Sequence, residues 1–245
     1  MTDRFDSDGR GLSTIEYRVE NKYLVSDMEL AVLSQRLGVV MQHDVHQQGD
    51  CYEIRSVYFD DAFDHCMDEN DAGVDCRKKY RIRTYGSASS PIKLEIKEKY
   101  LGLTKKTSCP LTRDEFDRIV YDREAVFSER APLNDLSLRM RCLNMQPKAI
   151  IVYERTAFVH PSGNVRITFD RNIMVGSAFE SFFDERISGL IPVLPAGTHV
   201  LEVKYDEMLP DFIARQLENG KLQQTAFSKY YLGRLAINGD FSMII

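Results

Sequence analysis

The feature that most constrains this chain is an alternation. From about residue 15 to residue 206, charged and apolar residues take turns along many short segments, and Gly, Pro, Asp and Ser separate those segments. Residues i and i+2 of a strand share a face. Lys79-Tyr80-Arg81-Ile82-Arg83 therefore carries three bases on one side and two apolar-bodied residues on the other. The same reading places Lys93, Glu95, Lys97 and Lys99 on one face of 92–99, and Arg166, Thr168 and Asp170 on one face of 165–170. It groups Glu202 with Lys204, Arg18 with Glu20 and Lys22, and Tyr153 with Arg155.

A single strand of this kind commonly shows its polar side to water. Together the faces do not fit that explanation. They hold eleven bases (Arg18, Lys22, Lys79, Arg81, Arg83, Lys93, Lys97, Lys99, Arg155, Arg166, Lys204) against four acids (Glu20, Glu95, Asp170, Glu202), in a chain whose net charge is −5. A solvated surface mixes the two signs. Segregation on this scale points to faces that converge on a polyanion, and in a closed barrel every second residue points inward. Arg supplies bidentate donors and Lys a mobile point charge, which together suit a phosphate chain. The few carboxylates among the bases suggest Mg²⁺ or Mn²⁺, ions that take oxygen ligands and keep several waters. The net negative charge argues against a general nucleic-acid binder.

Helices are fewer. Ser26-Asp27-Met28-Glu29 and Thr112-Arg113-Asp114-Glu115 have capping-box spacing, each followed by apolar residues at helical intervals. Further helices are predicted over Asn134–Leu143, from Asp211 to Asn219, and from Phe227 or Ser228 to near Gly239. Leu30, Leu33 and Leu37, and Phe212 with Leu217, read as core contacts of these helices. The predicted class is α+β, a dominant antiparallel sheet with peripheral helices. Residues 1–13 read as a disordered tail and 14–245 as one domain, a size a single core can serve. No apolar run reaches the ~18–20 residues of a membrane span. The polar start lacks a signal peptide, and the five scattered cysteines (Cys51, Cys66, Cys76, Cys109, Cys142) read as reduced thiols, so a cytoplasmic location is expected.

Eight of these segments also resemble a known family. Tyr17-Arg-Val-Glu-Asn-Lys-Tyr23, Ser56-Val-Tyr-Phe-Asp60, Lys79-Tyr-Arg-Ile-Arg-Thr-Tyr-Gly86, Leu94-Glu-Ile-Lys97, Tyr153-Glu-Arg-Thr-Ala-Phe158, Arg166-Ile-Thr-Phe-Asp170, Leu201-Glu-Val-Lys-Tyr205 and Ser228-Lys-Tyr230 occur in family order. They resemble the polyphosphate polymerase (VTC) domain, a branch of the triphosphate tunnel metalloenzymes, over about residues 15–235. The resemblance implies a closed antiparallel barrel of about eight strands around a tunnel. It implies transfer of the terminal phosphoryl group of ATP to a growing polyphosphate chain, with release of ADP. By resemblance Lys22, Arg81, Arg83, Lys97, Arg155 and Arg166 clamp phosphates. Lys79, Lys99, Lys106, Lys204 and Lys229 contact the chain. Glu202 holds the metal, Mn²⁺ or Mg²⁺, with Glu20, Glu95 and Asp170 as further candidates for the metal or for orienting the bases. ATP and polyphosphate are the expected partners, and a membrane protein that receives the product is compatible with them.

Two departures matter. Hydrolytic relatives begin with an E-x-E-x-K strand, and here Arg18 stands at the first acidic position, which favours chain binding over activation of water. The phosphate-sensing domain and membrane spans of eukaryotic members are missing, so a free-standing catalytic domain is expected. The alternatives are a tunnel hydrolase acting on triphosphate or nucleoside triphosphates, and a non-catalytic module for polyphosphate or inositol phosphates. No G-x-x-x-x-G-K-[ST] run occurs, which sets a P-loop aside. His43-x-x-His46 reads as a surface loop and Asp68-Glu-Asn-Asp71 as a solvated connection. Cys142 with His160 or His199 has no spacing that favours a thiol nucleophile.

Overall fold

Ser26 ends the first strand and opens the first helix. Its hydroxyl accepts from the Glu29 amide at 3.3 Å while its own amide donates to the Glu29 carboxylate at 2.9 Å, closing the expected capping box. The computed structural model describes residues 18–240 apart from 46, 48, 87–89, 101, 102 and 219. The tail expected over residues 1–13 lies outside the described residues.

In chain order the elements are β1 (Val19–Ser26), α1 (Asp27–Val40), β2 (Gln42–His43), β3 (Tyr52–Asp60), α2 (His65–Asp71), β4 (Arg77–Tyr85), β5 (Ile92–Tyr100), β6 (Leu103–Leu111), α3 (Arg113–Val120), α4 (Ala131–Leu143), β7 (Gln146–His160), β8 (Val165–Gly176), β9 (Ile191–Pro192), β10 (Thr198–Tyr205), α5 (Asp211–Leu217) and α6 (Lys229–Ile237). Thr112 caps α3 with a second capping box. The helix expected from Asn134 starts at Ala131, because Pro132 tolerates the first turn, where no amide is needed. The Asp68–Asp71 run is helical and forms the end of α2, a correction to the expected connection. Asp60 accepts from the Cys66 and Met67 amides at 2.9 and 3.0 Å and so satisfies the start of that helix.

The described strands form one antiparallel sheet in the order β1-β10-β8-β7-β3-β4-β5-β6, with β2 beside β7 and β9 beside β8. The backbone pairing does not run on from β6 to β1, so the hydrogen-bonded barrel expected from the sequence is not closed. The outer edge of β1 is partly taken by another segment. Tyr23 bridges to Gln224, and the Thr225 amide donates to the Lys22 carbonyl at 2.9 Å. The sheet nevertheless curls far enough for β5 to reach β1 through side chains, with Lys97 Nζ 3.2 Å from Glu20 Oε2.

The two faces of the curled sheet differ as the alternation requires. On the outside, Val57, Ile82, Leu94 and Ile96 pack with Phe116 of α3 and Leu133 and Leu136 of α4. Leu33 and Leu37 of α1 and Ile213 of α5 cover Ile167, Leu201 and Val203. Phe212 departs from its expected core role. It is 41% exposed, with its ring edge against His160. On the inside, α6 fills one end. Gly233 approaches so closely that a Cβ there would lie 2.7 Å from Ile151 and 3.1 Å from Val175. Ile151 shares its face of β7 with Tyr153 and Arg155, so beyond α6 the same interior surface turns from apolar to charged.

Candidate polyanion site

The charged interior holds three linked groups of side chains. The first gathers around Glu95 of β5, which lies opposite Arg81 of β4. Arg81 donates to the Glu95 carboxylate at 2.8 Å through Nε and stands 2.7 Å from it through Nη2. Arg83 lies 3.8 Å away, and Lys106 of β6 pairs with the other oxygen. Burial would raise the Glu95 carboxyl, but Arg81, Arg83 and Lys106 overrule it and hold it at about 2. Two phenols steady the arginines from the far side. Arg81 Nη1 donates to Tyr58 Oη at 3.0 Å. Arg83 Nη2 donates to Tyr153 Oη at 3.0 Å, and its Nε to Ser56 Oγ at 3.1 Å.

The second group lies on β1 and β10, where Lys22 pairs in register with Glu202 and Glu20 with Lys204. The Glu20 and Glu202 carboxylates stand side by side and share two lysines. Lys22 is 3.1 and 3.8 Å from them, and Lys204 is 3.3 and 3.4 Å. Arg155 of β7 reaches Glu202 at 3.7 Å, and Lys97 reaches Glu20 at 3.2 Å. Burial and the like charge of Glu202 push Glu20 up, yet Lys204 and Lys22 bring it below its ordinary value. Glu202 is held well below that range, since Lys204, Lys22 and Arg155 outweigh its burial. Burial lowers Lys97, with Lys204 and Lys22 as like-charged neighbours and Glu20 opposing.

The third group centres on Asp170 of β8, which is fully buried. Arg155 grips it with two bonds of 2.6 and 2.8 Å, and Lys229, the first residue of α6, stands 2.6 Å from it. Lys229 also lies 4.9 Å over the Tyr153 ring. Lys229 is turned inward because α6 enters the sheet's interior with its N-terminus toward the charged layer. At that end Lys79 of β4 donates to Ser228 Oγ at 3.0 Å and to Asn70 of α2. Burial pushes the Lys79 ammonium down to about 8, with Arg77, Lys22 and Lys97 adding to the effect and Tyr58 opposing it.

The structure thus brings together Lys22, Lys79, Arg81, Arg83, Lys97, Lys106, Arg155, Lys204 and Lys229 with all four candidate acids. Four further bases have their partners, or their exposure, outside the three groups. Arg166 is occupied by Asp44 and by Tyr52 Oη at 3.2 Å. Lys99 pairs with Asp75 at 3.2 Å, and Lys93 is exposed. Arg18 pairs with Asp206 at 3.0 Å and with the Asn164 carbonyl, so the base at the first acidic position is neutralised outside the three groups. Sequence reasoning missed Tyr58, Ser56 and Asp44. Ser56 and Tyr58 alternate with Val57 just as the bases do on neighbouring strands, but a charge census does not register hydroxyls. Of the motifs set aside, His43 lies on the exposed strand β2 and not in the expected loop, its ring tilted 4.7 Å from Phe158; His46 lies outside the described residues, and His199 pairs with Asp27 at 2.7 Å.

A divalent ion would find different welcomes at the four acids. Glu95 and Asp170 are enclosed by their cations. Glu20 and Glu202 offer adjacent carboxylates on the surface where phosphates would lie, and a hard cation bound by one or two carboxylates plus phosphate oxygens and water fits that pair. Among the described residues no cluster of three or more His, Cys, Asp or Glu side chains is arranged to hold a metal unaided. No described helix is long and apolar enough to cross a membrane.

The family model for the VTC domain matches residues 17–238. No curated protein matches the chain. Among solved structures, a proposed adenylate cyclase of Bacillus halodurans is similar at 13% identity and a TM-score of 0.53, over 87% of this chain and 94% of that one. A proposed adenylyl cyclase of Hippeastrum, described as having a dominant triphosphatase activity, is similar at 12% identity and a TM-score of 0.55, over 90% of this chain and 96% of that one.

Proposed function

The chain belongs to the VTC domain family, and from that premise we propose that it is a metal-dependent enzyme that moves the terminal phosphoryl group of ATP onto a growing polyphosphate chain and releases ADP. The supporting observation is the convergence of nine bases from β1, β4, β5, β6, β7, β10 and α6 on one interior surface. Two anionic substrates repel each other when brought end to end. A preorganised wall of guanidinium and ammonium groups offsets that repulsion and stabilises the charge that spreads over the transferred group. Arg81, Arg83 and Arg155 are fixed by hydrogen bonds from behind and would bind the phosphates that must stay in place. Lys97 and Lys204 are more exposed and would follow the chain, beside Lys22, which donates to the Phe227 carbonyl at 2.9 Å. Glu20 and Glu202 would hold Mn²⁺ or Mg²⁺, which when bound adds positive charge beside the phosphate oxygens.

The acceptor in this reading is a terminal phosphate, already largely ionised, so no strong base is required. That suits the site. Cations hold Glu20, Glu95, Asp170 and Glu202 all below their ordinary values, which makes them weak acceptors for a proton from water. In the proposed working form the curled sheet surrounds the chain as a tunnel. Product analysis tests the reading. Purified protein with ATP and Mn²⁺ or Mg²⁺ should yield ADP and acid-labile phosphate chains. Orthophosphate as the sole phosphate product would assign the site to hydrolysis, and salt-sensitive binding without turnover would leave it a binding module.

A further inference from the structure

Tyr58 belongs to no list of bases or acids, yet it occupies the centre of the charged interior. It is 7% exposed. Its oxygen accepts from Arg81 at 3.0 Å, and the Arg81 guanidinium lies 5.9 Å over its ring. Its ring stacks on Tyr230 of α6, with centroids 5.4 Å apart and planes 20° from parallel. Tyr230 is itself pinned, donating to Asp60 at 2.6 Å and accepting from Arg234 at 3.0 Å. The Tyr58 ring is therefore held in place, with its oxygen turned to Arg81. The charged groups facing it are Arg81, Arg83 and Lys79 from β4 and Lys229 from α6, with Glu95 of β5 behind Arg81 and Asp60 behind Tyr230.

We propose that Tyr58 is a positioning residue of the polyanion site whose proton count follows occupancy. In the free protein above neutral pH its oxygen accepts from Arg81 as a phenolate and cancels one of the surrounding positive charges. When a polyphosphate binds, the phosphate oxygens take over that neutralisation, and the phenolate takes up one proton from solvent to become a neutral hydroxyl that donates to the ligand. The inference rests on the polyanion reading of the site. Burial alone would raise the Tyr58 phenol, but Arg81 and Arg83, with Lys229, bring it down to about 7 in the free protein. Phosphates placed on those cations remove their pull, and burial then lifts the phenol to its ordinary range or above. An occupied site then has no phenolate left to take a proton from water, in keeping with transfer to phosphate.

The test is the tyrosinate absorbance near 295 nm at pH 8.5 as the protein is titrated with tripolyphosphate without metal, binding being followed in parallel by calorimetry. The expected result is a saturable loss of absorbance that tracks binding, together with uptake of a proton in buffers of different ionisation enthalpy. Affinity should fall by up to about tenfold per pH unit above pH 7. Tyr58→Phe should abolish the absorbance loss and weaken the pH dependence near pH 7, leaving the fall toward pH 8 that belongs to the Lys79 ammonium. Tyr153→Phe should retain the loss, which excludes the phenol beside Arg83 as its source; the wild-type titration decides the matter even where Tyr58→Phe does not fold. Binding without any absorbance loss, or the same loss in Tyr58→Phe, would overturn this proposal alone. Absence of tripolyphosphate binding would overturn it together with the reading of the site.

Discussion

Lys97 and Glu20 meet at 3.2 Å although β1 opens the sheet's pairing path and β5 is its last strand but one. This ion pair reports the curl of the sheet and places β1, β4, β5 and β10 around one volume. It also marks the open flank of the site. The Lys97 and Lys106 side chains are 44% and 52% exposed, whereas Arg83, Arg155 and Lys229 are nearly covered.

Glu202→Gln should separate metal use from anion binding. The amide keeps the volume and an acceptor beside Lys22 and Lys204 but loses the charge a divalent ion needs. Metal-dependent turnover is expected to fall by roughly a hundredfold, the scale seen when one preorganised electrostatic partner is lost. Tripolyphosphate binding measured without metal should persist or tighten. Unchanged turnover would remove Glu202 from the metal role.

Glu95→Gln should cost stability in a pH-dependent way. The carboxyl sits at about 2 in the folded chain against an ordinary 4.5, so its contribution is fully present above pH 4.5 and disappears as pH falls through 2. The difference amounts to about 3 kcal/mol. Urea unfolding at pH 6 should show the variant less stable by up to that amount, and the two curves should converge toward pH 2. A constant difference across that range would show that the ion pairs with Arg81 and Arg83 are not its source.

Gly233→Ala should disturb the site from a distance. The added methyl would meet Ile151 and Val175 inside the curled sheet, and α6 must shift to admit it. Overpacking of this kind costs about 1–3 kcal/mol. Lys229 rides on the same helix, so weaker tripolyphosphate binding should accompany the lower melting temperature. Wild-type affinity in the variant would uncouple α6 from the anion.

Arg83→Ala and Arg81→Ala should differ in stability while both weaken binding. Removing Arg83, with its side chain 6% exposed, leaves the Ser56 and Tyr153 hydroxyls without their donor, a loss of about 1–3 kcal/mol. Removing Arg81 costs the Tyr58 oxygen its donor but leaves Glu95 still paired with Lys106 and Arg83 and relieves repulsion among the bases, so a smaller change is expected. Equal melting temperatures for the two variants would contradict this assignment of partners.

The alternation of Lys79, Arg81 and Arg83 with Tyr80 and Ile82 made the charged face legible before any coordinates, because strand geometry fixes which residues share a side. The capping boxes at Ser26 and Thr112 were legible for the same reason, being short-range hydrogen bonds with fixed spacing. Tertiary choices were not. Nothing local to Arg166 says that Asp44, 122 residues away, occupies it. Nothing in Ser228-Lys229-Tyr230 says that its helix enters the curled sheet rather than packing outside. Closure between β1 and β6 was likewise beyond reach, since the competing segment at Gln224 and Thr225 is set by chain path and not by pattern.

The most direct test of the central claim, that the bases of this interior surface form one polyanion site, is calorimetric titration with tripolyphosphate across a salt series, on the wild type and on Arg81→Ala/Arg155→Ala. The account expects one ligand per chain, an affinity that falls steeply with rising salt as counter-ions compete, and loss of that binding in the double variant. Salt-insensitive binding, or binding that the double variant retains in full, would contradict it.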